Sequence, residues 1–554
     1  MTICTAAQAL VKSLANEGVE YVIGLPGVQI MDIYDALLDE PSIRTITVKH
    51  EQTASYMADG FARSTGKIAA ALVVPGPGLQ NASAGIGSAY ASSSPVLLIA
   101  GQIESFNIGK NAGAVHEIVD QLDILTNVTK WKASIHDVTE IPDTIREAIR
   151  QLKTGRPRPV AIEIPSDLLS KSMDLQLPPV ENFQMQSPNA DLIRKAASLL
   201  LKAKYPVIWA GGGVNLGNAN SELTTLASAL NSAVIATAEG KGAISEDDPQ
   251  YAGPFYYSHG PAHEVLPKSD VILAVGSRLH FLAPVDWAFT ESQSIIHIDV
   301  DPEELGRNWQ EEISMVGDAK LTLQALLNEI DGKENSSLWT LQEIANHRAK
   351  SFETIRHLAP DQVEILEGIR EVLNDDALVV SGINSIGYWA HLAFTVRSPR
   401  SYFNASYFAT LGYAFPFSLG VKLGNPEKQV ICISGDGGFM YSLPELATAV
   451  QEKLNVIVLV FNDHALGATL RDQQVRYKGR VIGTKIQNPN FAQVATDFGA
   501  LGIRLNHYRE LPASLQSALS ENRPVVIEIP IDSWTPPFQI TPPGFRTSKP
   551  QSPE

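Results

Sequence analysis

Two cysteines, Cys4 and Cys432, in 554 residues leave no basis for a disulfide framework or for a thiol cluster holding zinc or iron–sulfur. No apolar run reaches the roughly 18 residues that a membrane-crossing helix needs. The N-terminus also shows no basic segment leading into a short apolar stretch, so a cytoplasmic protein that spans no membrane is expected. Long charge blocks are the third thing missing. The formal net charge is −17, yet it is spread evenly, which argues against nucleic-acid and anionic-membrane partners and is accounted for by solubility. The length exceeds what one hydrophobic core supports, so two to four domains are expected, and three can be counted.

What is present is alternation. Apolar residues at helical spacing over 5–17 lead into a short strand at 19–23 and a turn, Gly24-Leu25-Pro26-Gly27. A helix over 31–38, a strand over 45–49, a helix over 53–63 and a strand over 69–74 continue the pattern. Helices alternating with short apolar strands imply an α/β chain of doubly wound parallel sheets, whose ligands gather at the C-terminal ends of strands. A linker rich in Pro, Asn and Gln at 177–189 and a second at 332–337 divide the chain. The expected domains are 1–176, 190–331 and 355–536, followed by a Pro-rich tail at 537–554 that either closes over a site or is a loose end. In the middle domain a strand at 206–210 runs into Gly211-Gly212-Gly213. This triplet suits either a nucleotide or close strand–helix packing, and no acidic ribose partner follows it.

The most informative stretch is Gly435-Asp436-Gly437-Gly438-Phe439, which follows a buried-type strand at 430–433. Glycines around Asp436 let the backbone approach a ligand, and their amides can face a phosphate. Ser442-Leu443-Pro444-Glu445 reads as a capping box opening a helix. A second apolar strand at 456–461 then ends at Asn462-Asp463, with 24 residues between Gly437 and Asn462. Two parallel strand ends thus present a carboxylate and an amide oxygen side by side. That set suits Mg²⁺, which takes about six oxygens and completes its shell with phosphates and water. A bare Gly-Asp-Gly is otherwise ordinary turn chemistry.

This arrangement resembles the Gly-Asp-Gly…Asn signature of thiamin diphosphate enzymes, and the resemblance extends over nearly the whole chain as pyrimidine-binding, central and diphosphate-binding domains. It implies Asp436 and Asn462 as Mg²⁺ ligands, with the backbone oxygen of His464 as the third. Asp463 stands where the family often has a second Asn. His50-Glu51-Gln52 through Arg63 resembles the family's pyrimidine motif, which makes Glu51 the carboxyl that exchanges a proton with the cofactor's aminopyrimidine. Read alone, Glu51 is also well placed to interact with a helix dipole. The loop Pro75-Gly76-Pro77-Gly78, with Asn81 leading into a helix at 82–91, resembles the element lying near the cofactor. Asn384 and Ser385 follow a strand at 377–380 as diphosphate contacts, and Leu411 takes the position of the apolar residue that props the cofactor into its bent form.

Substrate-facing positions divide the resemblance. His116 falls where acetolactate synthases carry an aromatic residue and benzaldehyde lyase a glutamine, and suits acid–base chemistry near neutral pH. Gln29 stands where benzaldehyde lyase has its active-site His and catabolic acetolactate synthases a Lys. Asp472 replaces the Trp of biosynthetic synthases, and the neighbouring Arg471 suits an anionic substrate or simply an exposed position. Biosynthetic synthases also hold FAD through an Arg-Phe-Asp-Asp-Arg stretch after the glycine matching Gly276. This chain reads Ser277-Arg278-Leu279-His280-Phe281, one arginine and neither aspartate, so FAD stays open with these residues against it. The resemblance implies a homodimer or homotetramer with shared active sites. It also implies thiamin diphosphate chemistry on a small molecule: carboligation of pyruvate, or cleavage of an acyloin, a 2-hydroxyacyl-CoA or a 2-oxo acid.

Overall fold

The computed structural model describes residues 2–256, 259–279, 289–290 and 292–538. His280 and Phe281, and the tail from 539 onward, lie outside the described residues. Three six-stranded sheets organise the chain, and every pairing within them is parallel. The N-terminal sheet runs in the spatial order Arg44–Thr47, Tyr21–Gly24, Ala70–Val73, Leu97–Gln102, Val160–Pro165, Trp131–Ser134. The C-terminal sheet runs Tyr402–Phe403, Leu378–Ser381, Val430–Gly435, Ile457–Asn462, Val525–Pro530, Leu501–Arg504. Counted along the chain, the two windings are identical. The order reverses in the first between Tyr21–Gly24 and Ala70–Val73, and in the third between Leu378–Ser381 and Val430–Gly435. Such a reversal opens a crevice at the carboxyl ends of the strands, where α/β sheets bind ligands.

The central sheet is wound differently, as Tyr251–Phe255, Ala233–Thr237, Pro206–Ala210, Val271–Val275, Ser294–Asp299, Ile313–Val316. Its reversal point holds Gly211 and Gly276. A Cβ on Gly211 would stand 2.2 Å from the Gly276 carbonyl oxygen, and one on Gly213 2.6 Å from the Gly276 Cα. Gly211 and Gly213 are thereby explained by backbone packing.

The first and third domains share one hydrophobic core, in which Tyr56, Met57 and Phe61 meet Tyr413, Phe415 and Phe417. Their helices Glu51–Thr65 and Ala414–Gly424 cross at backbone contact: a Cβ on Gly60 would stand 2.1 Å from the Phe417 carbonyl oxygen, and one on Gly420 1.9 Å from that of Met57. Only glycine fits either position.

Several local expectations are corrected. The first helix starts at Ala6, capped by Thr5 and Gln8 in a reciprocal box, because Thr2–Thr5 forms a strand pairing antiparallel with Ser172–Leu175. The helix expected over 82–91 begins at Pro77, whose ring presets the first turn, so Asn81 lies inside it. Ser442 makes no cap hydrogen bond, and its buried hydroxyl has no partner. Glu445 instead accepts the Lys49 backbone N–H (3.0 Å) and the Thr448 hydroxyl (2.6 Å), so tertiary packing displaces the local box. The helix Leu341–Leu358 runs across residue 355, the expected start of the third domain. The segment just before the tail is docked: Trp389 donates to the Thr535 carbonyl (2.9 Å), and Trp534 lies edge-on to Tyr508.

Asp59, on the shared helix Glu51–Thr65, is fully buried, and burial pushes its carboxyl up from the usual 3.8 to about 6, against the pull of Arg63. Between those values the folded state binds more protons than the unfolded chain, so stability falls as pH rises from about 4 to about 6 and stays reduced above. Asp59→Asn, neutral and of the same shape, is expected to flatten this slope and raise the urea midpoint above pH 6. Parallel pH profiles for the two proteins would refute the assignment.

Candidate active site

At the reversal point of the C-terminal sheet, three turns meet. Asn384 caps the helix Ser385–Ala393, its Oδ1 accepting the N–H groups of Ile386 (3.1 Å) and Gly387 (2.9 Å). The strand Val430–Gly435 delivers Asp436 as the first residue of the short helix Asp436–Met440. A Cβ on Gly435 would stand 2.9 Å from the Asn384 Cβ, and one on Gly438 3.6 Å from Leu411 Cδ1. Asn384, Ser385, Leu411 and the glycines around Asp436 therefore share one crevice.

Asp436 and Asn462 are buried, 2% and 3% exposed. Asp436 Oδ1 accepts the Gly437 N–H (2.8 Å), and Asn462 Oδ1 accepts that of His464 (3.2 Å). The Asn488 side-chain amide donates to both Asp436 Oδ2 (2.6 Å) and Asn462 Oδ1 (2.9 Å), so the two oxygens converge on a single point. His464 sits beside them in the left-handed region, φ 54°. A carboxylate and an amide oxygen converging in this way are hard oxygens of the kind Mg²⁺ takes, while the neighbouring His464 carbonyl accepts the Ile486 N–H (2.9 Å). Among the described residues, no group of three or more His, Cys, Asp or Glu is arranged to hold a metal. Burial raises the Asp436 carboxyl, opposed by the Gly437 N–H and Asn488. Burial, reinforced by the charge of Asp436, pushes Asp463 up to about 6. A divalent cation would reverse both shifts.

The N-terminal sheet builds the other cluster. Glu51 opens its helix, is 8% exposed, and its Oε2 accepts the Asn81 amide at 2.9 Å. The glycine loop stands against the other oxygen: a Cβ on Gly78 would lie 3.5 Å from Glu51 Oε1. Gly76, at φ +59°, leaves room for the His116 carbonyl, which a Cβ there would meet at 2.5 Å. Buried Gln29 donates to the Val115 carbonyl (3.1 Å). Glu51, Asn81, Gln29 and His116 are thus brought together. His116 also carries strain, a non-glycine residue at φ 71° whose buried Nδ1 has no partner.

Four supporting residues were not singled out by the motifs. Gln121 accepts the Gly76 N–H (3.2 Å) and donates to Glu163 (2.7 Å). Asn488 bridges the two oxygens described above, and Glu528 accepts the Asn462 amide N–H (3.0 Å). The available signal was a lone acid inside an otherwise apolar strand, Ile-Glu-Ile-Pro, which occurs at both Glu163 and Glu528.

Comparison with known proteins supplies the rest. Residues 4–124, 193–326 and 382–529 match, respectively, the N-terminal, central and C-terminal domains of thiamine pyrophosphate enzymes, named for the same compound as thiamin diphosphate. The chain is 35% identical to the acetolactate synthase large subunit of Haemophilus influenzae, over 95% of its own length and 94% of the relative's. The chain belongs to the thiamine pyrophosphate enzymes. More narrowly, it is a thiamin diphosphate-dependent enzyme of the acetolactate synthase family. It is also 32% identical to acetolactate synthase isozyme 3 large subunit of Escherichia coli, with 96% of each chain covered. A probable 2-ketoarginine decarboxylase of Pseudomonas aeruginosa is 33% identical over 95% of this chain and 94% of its own. Among the described residues, no helix is long and apolar enough to cross a membrane.

Proposed function

We propose that this enzyme joins 2-oxo acids, with pyruvate as donor, in the manner of an acetolactate synthase. The observation that carries the reading is a chain aligning end to end with acetolactate synthase large subunits in which both clusters are complete: Glu51 with Asn81, and Asp436 with Asn462. Asp436, Asn462 and the His464 carbonyl would hold Mg²⁺, with Asn384, Ser385, Gly435, Gly437 and Gly438 around the diphosphate and Leu411 under the bend. When bound, thiamin diphosphate supplies the nucleophilic carbon and the electron sink for breaking and making C–C bonds. Glu51 moves a proton at its Oε1, the oxygen that Asn81 leaves unengaged, at the aminopyrimidine nitrogen. Its burial excludes competing water. Gln29 and His116, held beside it, face the substrate.

The active site is shared in this reading, the Glu51 cluster of one subunit facing the Asp436 cluster of another in a homodimer or tetramer. Exposed apolar side chains support it: Val28 (85%), Val115 (72%) and Val119 (81%) near the first cluster, Met440 and Tyr441 near the second.

A second reading, decarboxylation or C–C cleavage, is favoured by Asp472 in place of tryptophan and by the Pseudomonas relative, while Gln29 in place of the active-site histidine weighs against a benzaldehyde-lyase-like mechanism. Asp472 is ion-paired with Arg476 (3.2 Å), while Arg471 is exposed. FAD is not part of the proposed enzyme. The central cavity of about 300 Å³ is lined by Arg63, Arg156, Arg278 and Arg400. Their guanidinium groups are already engaged: Arg63 with Glu239, Arg156 and Arg278 with Glu304, and Arg400 with the Leu216 carbonyl.

The test is NMR of ¹³C-pyruvate turnover by the full chain with thiamin diphosphate and Mg²⁺. Acetolactate from a preparation without flavin absorbance is the expected result. Acetaldehyde alone would favour the decarboxylase reading, and no turnover with cofactor bound would overturn pyruvate as substrate.

A further inference from the structure

The identical winding of the first and third sheets places the strands Val160–Pro165 and Val525–Pro530 at corresponding positions, and both contain Ile-Glu-Ile-Pro. Their acids are the single charged residues of those strands, yet Glu163 is 8% and Glu528 2% exposed. A carboxylate in such a place needs donors around it, and the donors found are the site's own scaffolding. Glu163 accepts the Ser134 hydroxyl (2.6 Å) and the amides of Gln102 (3.1 Å) and Gln121 (2.7 Å), and Gln121 in turn holds the Gly76 N–H. Glu528 Oε1 accepts the Asn462 amide N–H (3.0 Å), and Oε2 takes the backbone N–H of Ala492 (3.4 Å). Arg504 approaches Glu528 from the solvent side at 3.8 Å.

An asparagine amide has two faces of opposite polarity, and only one sense of rotation presents oxygen to a cation. An ionised carboxylate accepts hydrogen bonds and donates none. With Glu528 on one side, Asn462 turns its NH₂ toward the acid, and its Oδ1 is left pointing to the spot where Asp436 Oδ2 also points. We propose that Glu528 is a positioning residue that sets the sense of the Asn462 amide for cation binding. Glu163 is its counterpart in the first sheet, holding the Gly76 loop against Glu51 through Gln121. The proposal rests on Asp436 and Asn462 being cation ligands.

The measurement is Mg²⁺ titration at fixed thiamin diphosphate, read by tryptophan fluorescence, on the full chain and on Glu528→Gln, Glu163→Gln and Asp436→Ala. Loss of an outer partner of a metal ligand weakens affinity about 10–100-fold. That loss is expected for Glu528→Gln, because a glutamine has one acceptor where Glu528 uses two, so its NH₂ faces either the Asn462 amide or the Ala492 N–H, with thermal unfolding in the absence of Mg²⁺ unchanged. Glu163→Gln should leave Mg²⁺ affinity alone and lower turnover at saturating Mg²⁺. Unchanged affinity in Glu528→Gln, with affinity lost in Asp436→Ala, overturns the positioning role alone. Unchanged affinity in both overturns the ligand assignment beneath it. If Glu528→Gln does not fold, Asn462→Asp sets acceptor against acceptor, and the double variant Asn462→Asp with Glu528→Gln restores a donor. Recovery of Mg²⁺ binding in the double variant supports the proposal, and no recovery refutes it.

Discussion

Asp436→Ala is expected to weaken Mg²⁺ binding by more than about 100-fold, since losing only an outer partner of a ligand already costs about 10–100-fold. Asp436 Oδ2 and Asn462 Oδ1 share a single donor at 2.6 and 2.9 Å, so removing the carboxylate leaves one amide oxygen and one carbonyl to hold a strongly hydrated cation. Thiamin diphosphate affinity should fall with it, because a cation held by Asp436 and Asn462 would complete its oxygen shell with the diphosphate. The readout is the thermal shift on adding cofactor and Mg²⁺. A ligand at 100 times its Kd stabilises by about 2.7 kcal/mol, and that increment should disappear while the unliganded protein unfolds as before. A variant that keeps the full shift would exclude Asp436 as a ligand.

Glu51→Gln is expected to lower kcat by about 10²–10⁴-fold, the range of a positioned acid–base group, with cofactor affinity nearly unchanged. Glutamine can still accept the Asn81 amide N–H that Glu51 accepts now, so the cluster's shape is kept. What it lacks is a carboxyl that can release and take back a proton. Separate determination of kcat and of the thiamin diphosphate Kd checks this. A fall in affinity with kcat intact would make Glu51 a binding residue and leave the proton transfer unassigned. Uncovering Gly76 and Gly78 is no substitute test, because any side chain at Gly76 meets the His116 backbone.

Much of the site was legible along the chain because its key residues fall in short segments. Gly435 to Gly438 is one turn, and a strand of regular length carries Asn462 to the level of Asp436, since parallel neighbours in register end together: Gly435 lies opposite Phe461. Glu51 was legible for the same reason, standing where a helix follows a strand. The alternation of elements likewise announced parallel doubly wound sheets, which the structure bears out three times. Where local reasoning failed, a distant partner was responsible. Glu445 looked like half of a capping box but binds the backbone of Lys49, 396 residues away. Gly60 and Gly420 gave no separate signal, because what they permit is a crossing of two helices from different domains.

By itself, then, the sequence determined the class of fold, the strand ends at which chemistry-bearing residues stand, and the carboxylate, amide and glycine set of the motif at 435–462, because these depend on spacings of a few residues to one strand–helix–strand unit. Only the tertiary structure decided that the first and third domains fuse into one core and that Asn488 joins Asp436 to Asn462. It alone also decided that Glu163 and Glu528, which the sequence marks only as lone acids in apolar strands, turn inward onto the site. Hydrogen bonds and desolvation act between neighbours in space, and the hydrogen-bonded pairs at the site are 26 to 66 residues apart in the chain.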